Sequence, residues 1–527
     1  MSRKNGTLLA AILGSAIVFL DSTVVNVALQ RIGQDLPSGR FGVLEGESYV
    51  YNAYLLSLSA LLILAGALAD AYGRRRLFVI GMVGFGASSV LCGLAPTMET
   101  LIFFRIVQGG AGALLVPGSL ALLTNAFEGA ERGRAFGLWA AASAATVILG
   151  PVIGGVLVQT VSWRAVFFLN VPLIAIALWA TWRYVRESRD PDAGRSFDWL
   201  GAAVVALAVG GLSFGAIYGQ QHQWHDGVGQ VSVAVGAVAT ILFVILMAVR
   251  PNPLVPLGLF RSRNFSVTNL STFLIYGALY VSGFQQSIFS QGTLQYSAAA
   301  AGFIGVPGAL ILVLLSSRVG ALCVRLGPRR FMAGGPALMA AGILWLARLP
   351  VSSPAWSLQP GDPSTWLPSS GYLVDFLPST LLFGLGLAIT VAPLTSALMA
   401  SVPENRAGLG SAVNNAISRV GPQLAGALIF VALTGAFYGD LSSRVPGIDT
   451  SSDQLRAQIA PLNRPDPAAG PALVLAANES STDAFHLAMG LSAGLLLAGA
   501  LVNAIGIRDP ERVGDPVALS AAVPAGE

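Results

Sequence analysis

Residues 66–76 read GALADAYGRRR, and residues 320–330 read GALCVRLGPRR. Both follow the pattern GAL-x4-G-x-RR. In each, a long apolar run ends, the chain turns at a glycine, arginines follow, and a second apolar run begins. A second pair has the same order: GPVIGG starts at Gly150 and GPQLAG at Gly421. The spacing between copies is longer in the second pair. Residues 350–371, which lie between the two pairs, can absorb the difference. An internal repeat of this length points to two homologous halves.

Composition says what kind of halves these are. The chain has 527 residues, 54% hydrophobic and 11% charged. Soluble domains carry about 25% charged residues, so this is an all-α integral membrane protein in expectation. Apolar windows of about 20 residues predict fourteen helices. They fall near 7–29, 48–69, 77–95, 100–123, 134–158, 164–185, 199–219, 229–249, 265–288, 299–323, 331–349, 372–397, 407–433 and 484–506. In this numbering the repeat matches helices 1–6 to helices 9–14, with helices 7 and 8 inserted. The expected organisation is a six-helix half at 1–185, a linker with two extra spans at 186–264, a second half at 265–506 with an external loop at 434–483, and a tail at 507–527. Halves related in this way, with a site between them near the membrane midplane, recur in secondary transporters.

Net charge is +4, and only one of the basic residues, Lys4, is a lysine. About twenty basic residues fall on one side of the predicted spans, among them Arg74, Arg75, Arg76, Arg132, Arg195, Arg329, Arg330 and Arg512; the short loops on the other side hold only four, Arg31, Arg40, Arg164 and Arg348. The positive-inside rule then puts both termini in the cytoplasm. The basic balance is a topology signal and not a nucleic-acid footprint. Ser2-Arg3-Lys4 before an apolar run looks like a signal peptide, but about 23 apolar residues without a cleavage site read as a first span. Cys92 and Cys323 lie in or beside apolar segments, which argues against a disulfide or metal site. The HQWH stretch with His222 and His225 lacks further ligands. No P-loop, dinucleotide fingerprint or nucleophile–base constellation occurs, so neither ATP hydrolysis nor enzymatic catalysis is expected, and no cofactor.

With these motifs in place, the chain resembles the major facilitator superfamily, in its fourteen-helix drug:proton antiporter branch. LDSTVVNVAL from Leu20 resembles the first-helix signature, and GALADAYGRRR the signature between helices 2 and 3. RIVQGGAGAL from Arg105 resembles the fourth-helix signature. GPVIGG resembles the end of the antiporter signature, and WRAVFFLNVP from Trp163 the start of helix 6. The chain departs from the family pattern at Ala71, where a basic residue is usual, and at Thr146, where Gly is usual. The resemblance implies a multidrug efflux antiporter in the plasma (inner) membrane. It would be driven by the proton motive force, monomeric, and linked to antibiotic resistance. Its partners would be protons, lipid and a small-molecule substrate. Two rivals are a dedicated exporter of one endogenous molecule and a non-transporting membrane sensor.

Several residues are candidates for function. Asp21 is a carboxylate deep in an apolar span, which is costly and marks a functional site by default. It lies about 12 Å below the outer end of helix 1, and Arg105 about 7 Å below that of helix 4. The family fold places both helices on one cavity. Burial disfavours a carboxylate and a neighbouring guanidinium favours it; a proton-coupling site needs the two near balance. The alternative is a static ion pair. Asp375, at the start of helix 12, is either a second cavity charge or an acid complementing the helix dipole. Arg419, mid-span in helix 13, is a cavity charge or a structural donor. Asp70, Gly73, Arg74 and Arg75 form a cytoplasmic turn able to latch the halves. Gly150, Pro151, Gly154 and Gly155 form a hinge or a close-packing face. Asn26, Gln108, Trp139, Tyr276, Tyr280, Gln285, Gln286, Asn414 and Asn415 are candidate cavity residues.

Overall fold

The computed structural model describes residues 2–37, 43–189, 197–221, 227–359, 361–450, 452, 455 and 458–509. Arg40, Arg195, the His222–His225 pair, Arg512 and the tail from 510 onward lie outside the described residues. The described residues form helices, turns and loops, without a strand. A bilayer dictates this outcome, because a spanning segment must satisfy its own backbone polar groups.

The helices are α1 (Arg3–Asp35), α2 (Val43–Tyr72), α3 (Arg74–Gly93), α4 (Met98–Ala113, continuing as Leu115–Ala126), α5 (Gly129–Thr160), α6 (Asn170–Tyr184), α7 (Trp199–Gln221) and α8 (Gly227–Val249). Then come α9 (Arg263–Gly292), α10 (Val306–Leu326), α11 (Pro328–Leu346), α12 (Leu377–Ala400), α13 (Ala407–Arg444) and α14 (Pro471–Gly506). Each of the fourteen apolar segments is helical. Among the described residues, twelve helices are long and apolar enough to cross a membrane. The two not in that set are α5 and α11, of 32 and 19 residues.

Local chemistry explains the punctuation. Thr97 caps α4 reciprocally with Thr100, a capping box. Gly73, at φ +116°, makes the turn from α2 into α3, a conformation only glycine adopts without strain. Pro117 lies in the first turn of the second α4 segment, where a missing N–H costs nothing.

Of the two long connections, one differs from its sequence reading. The 434–483 segment is shorter as a loop than expected, because α13 runs on to Arg444 and α14 starts at Pro471. Hydropathy fades at these ends, but ion pairs hold the helices. The Arg444 guanidinium meets Asp440, Glu479 and Asp483, the last at 2.7 Å. The 350–371 segment is packed. Trp356 is buried against Phe303 and Tyr372, and its indole N–H donates to the Thr365 carbonyl at 3.0 Å.

Two large apolar clusters form the interior. One is built on α1–α8 with residues 398–416, the other on residues 275–507. The inserted α7–α8 hairpin closes through glycines: a Cβ at Gly236 would sit 2.4 Å from the Leu212 nitrogen. Asp198 ties its two ends together, accepting from Gly201 N and from Arg250 Nη1, each at 2.9 Å. The hairpin packs on α2 and α13.

At the Arg-rich end of the bundle, α5 touches α10 backbone to backbone. A Cβ on Gly320 would lie 2.4 Å from the Gly133 oxygen, and one on Gly133 would lie 2.6 Å from the Gly320 oxygen. Gly320→Val is therefore expected to part these helices. The measurement is the distance between spin labels at Arg134 and Arg325, both exposed; it should lengthen relative to wild type.

Candidate functional site

Three features lie on the interior of the bundle: a buried charge cluster, a latch at the Arg-rich end, and a cavity.

The cluster is built on α1, α4 and α6. Asp21 is 1% exposed and Arg105 is fully buried. Arg105 Nη1 donates to Asp21 Oδ2 at 2.5 Å. Asp21 Oδ1 accepts from Gln108 Nε2 at 3.0 Å and from Asn170 Nδ2 at 2.9 Å. Arg105 also donates to Gln108 Oε1 at 2.8 Å and to the Val50 carbonyl at 3.1 Å. Its guanidinium lies over the Tyr54 ring, 4.1 Å from the centroid, a cation–π contact. Such a pair survives burial only because nearly every lone pair and proton is used. Arg105 Nη2 and Asn170 Oδ1 are the exceptions, buried without a protein partner. Gln108 falls into place because it lies one turn beyond Arg105 on the same helix face. Asn170 was not singled out from sequence: nothing local in it signals a partner 149 residues away.

The latch joins α2 to α13. Asp70 accepts from Arg74 Nε at 2.8 Å and from the backbone nitrogens of Leu409 and Gly408 at 2.7 and 3.3 Å. Those nitrogens belong to the first turn of α13, where the helix dipole favours an anion. Arg74 Nη2 donates to the Glu404 carbonyl at 2.7 Å, and Arg132 pairs with the Glu404 carboxylate at 2.7 Å. Gly66 lets α2 approach, since a Cβ there would lie 2.3 Å from Ala412 Cβ. Arg75 N and Arg76 N instead hold Glu187, both at 3.0 Å. The turn thus bonds in two directions, with Asp70 and Arg74 as the latch.

The cavity, of about 560 Å³, runs from Asn414 and Leu398 near the latched end to Ser287 and Ala301 toward the other. Trp139, Tyr276, Tyr280, Asn414, Asn415 and Arg419 line it, as does Gln286. Gln285 is buried away from it, and Asn26 is exposed elsewhere. Consecutive helical residues point about 100° apart, which separates Gln285 from its neighbour. The same geometry corrects the expectation for Asp21. Phe19 lines the cavity, and Asp21, two residues and 200° further round α1, faces α4 and α6 instead. Gln108 likewise belongs to the charge cluster and not to the cavity wall. Asp375 is not at the cavity. It lies in the π-helical turn before α12 and accepts from Ser353 Oγ at 2.7 Å.

In α5, the glycines face α1 closely: a Cβ at Gly150 would meet Thr23 Oγ1 at 1.9 Å and one at Gly154 would meet the Val24 oxygen at 3.1 Å. Gly155 has no such neighbour. The helix runs unbroken through Pro151, whose side chain lies outside the described residues. Among the described residues no cluster of His, Cys, Asp and Glu could hold a metal ion.

Comparison with known proteins agrees with this architecture. The family model described as the Major Facilitator Superfamily matches residues 11–426. The multidrug resistance protein Stp of Mycobacterium tuberculosis is 32% identical over 424 residues, 80% of this chain and 74% of that protein. The puromycin resistance protein pur8 of Streptomyces alboniger is 32% identical over 429 residues, 80% of each. Among solved structures, the human organic anion transporter MFSD10 superposes with a TM-score of 0.59 at 13% identity, over 95% of this chain and 100% of that one. That likeness carries the fold alone. The chain belongs to the major facilitator superfamily: it is a multi-pass membrane transport protein, not an enzyme.

Proposed function

We propose that the protein is a proton-coupled exporter of small amphipathic molecules, including antibiotics. It works as a monomer in the plasma membrane by alternating access, with fourteen spans and both termini cytoplasmic. The moving units are the halves 1–185 and 265–506, and the segment 186–264 adds two spans beside them. The observation that carries this reading is a cavity shut at one end by contacts between the two halves. The resistance proteins similar to this chain support a drug as cargo.

In this reading the latched end faces the cytoplasm and the cavity faces out. Asp21 carries the coupling proton, with Arg105 as its counter-charge. Because Asp21 is closed off in this conformation, the proton reaches it only as α1 moves against α4 and α6. The close Gly150 and Gly154 contacts on α1 make α5 the element that transmits this movement to the cavity. Neutralising Asp21 frees Arg105 from its carboxylate and changes which packing of these helices is preferred. Each proton entering down a membrane potential releases about 2.3 kcal/mol per 100 mV, and the cargo need bias the two states only by its differential affinity.

The test is transport in proteoliposomes with an imposed pH gradient, against cationic, neutral and anionic dyes. Gradient-dependent movement of at least one class is expected. Movement indifferent to the gradient, or none for any class, contradicts the reading.

A further inference from the structure

Among the described residues, the cavity wall carries an arginine and no acid. Arg419 lies on α13 twelve residues from its start at Ala407, about 18 Å along the helix axis and so near mid-membrane. It is half-buried at the cavity surface. Among the described residues its guanidinium has no ion pair or hydrogen bond, and it lies 5.8 Å from the centroid of the Phe19 ring. By contrast, buried Arg74 and Arg105 each hold a carboxylate. None of the described residues lining the cavity is Asp or Glu. An intramembrane charge is expensive and faces protein partners or water; this one faces an open cavity with its donors unspent.

The rest of the wall suits a flat aromatic body. Trp139 is held in place by its N–H bond to Ser15 Oγ at 3.0 Å, and Ser15 in turn meets Ser119 at 2.6 Å. Tyr276 and Tyr280 line the same cavity, their ring centroids 6.3 Å apart. Other polar groups there, such as Asn415 and Ser418, are neutral.

We infer that the cargo of this cavity is an aromatic organic anion, a carboxylate or sulfonate whose oxygens are bound by Arg419. The inference rests on the exporter reading and narrows its substrate class. A guanidinium offers a planar fork of donors that fits such a group with two charge-assisted bonds. An aromatic cation of the same size would meet an unpaired like charge and no carboxylate to offset it, so selectivity arises from repulsion as well as attraction.

The experiment compares two probes of matched shape, naphthalene-2-sulfonate and 2-naphthyltrimethylammonium. Their binding to the full chain in phosphatidylcholine nanodiscs is measured by titration calorimetry. Wild type should bind the sulfonate at least about tenfold more tightly than the ammonium. Arg419→Gln should lose that preference, and Arg419→Lys should keep it with weaker binding, since a lysine retains the charge without the fork. Equal binding of the two probes by wild type, no binding of the sulfonate, or an unchanged preference in Arg419→Gln overturns the inference. The wild-type arm decides even if a variant does not fold. The two readings fail separately. A sulfonate that binds through Arg419 but is never transported contradicts the exporter and leaves the site standing. Gradient-driven transport of the ammonium probe without sulfonate binding does the reverse.

Discussion

Asp21→Asn is expected to abolish transport driven by a pH gradient while leaving cargo exchange between the two faces of the membrane. The substitution keeps the size of the side chain and its ability to accept from Gln108 and Asn170. It removes the one charge that offsets buried Arg105. Breaking a buried pair by removing a partner costs about 3–5 kcal/mol, so the arrangement around Arg105 should loosen. The distinguishing readout is the split between two assays in the same vesicles. A static structural pair predicts that both decline together as the protein destabilises. A proton carrier predicts that gradient-driven accumulation falls to background while exchange continues. Arg105→Ala removes the guanidinium from the same site and should impair both, because it strands the Asp21 carboxylate and empties the space beneath the Tyr54 ring.

Asp70→Asn should have the second largest effect, and on conformation. The Asp70 carboxylate joins Arg74 to the first turn of α13, and both side chains are almost fully buried. An amide oxygen can keep the bonds of one carboxylate oxygen, but its NH2 cannot accept the others, and it provides no charge for Arg74 or for the helix dipole. A loss of about 3 kcal/mol changes the ratio of latched to unlatched molecules by roughly 150-fold. Spin labels at Arg76 and Arg330, exposed positions at the Arg-rich end, should report it. In wild type the short distance should dominate, and in Asp70→Asn a longer one should appear. An unchanged distribution would mean that the glycine contacts of α5 with α10 suffice to hold that end closed. Arg75→Ala is the matched comparison. Arg75 bonds toward Glu187 and the Trp182 carbonyl and not across to α13, so the distance should stay short.

Much of this was legible before any coordinates. Apolar windows located the helices because lipid imposes both their length and their internal hydrogen bonding. The GAL-x4-G-x-RR turn points to Asp70 and Arg74, and these are the side chains of the turn that reach α13 and the residues just before it. The Asp21–Arg105 pair followed from two charges at similar depth. What could not be read was azimuth. Depth along a helix is fixed by residue number, but which face meets the cavity depends on how the helices pack. Hence Gln286 and not Gln285 lines the wall, and Asp21 turns away from it while Phe19 faces it. Helix ends were also misplaced at Arg444 and Pro471, because polar helical turns held by ion pairs look like loops to a hydropathy window. Asn170 gives no sequence signal, because a lone asparagine near a helix start has many local uses.

The most direct test follows the proton itself. Vesicles containing the protein and a trapped pH indicator, without an imposed gradient, are given a step in cargo concentration on one side. For wild type the interior pH should change in step with cargo movement, and for Asp21→Asn the same cargo exchange should leave the pH flat. A pH change of equal size in Asp21→Asn would show that the proton travels by another residue, and the coupling role assigned to Asp21 would be wrong.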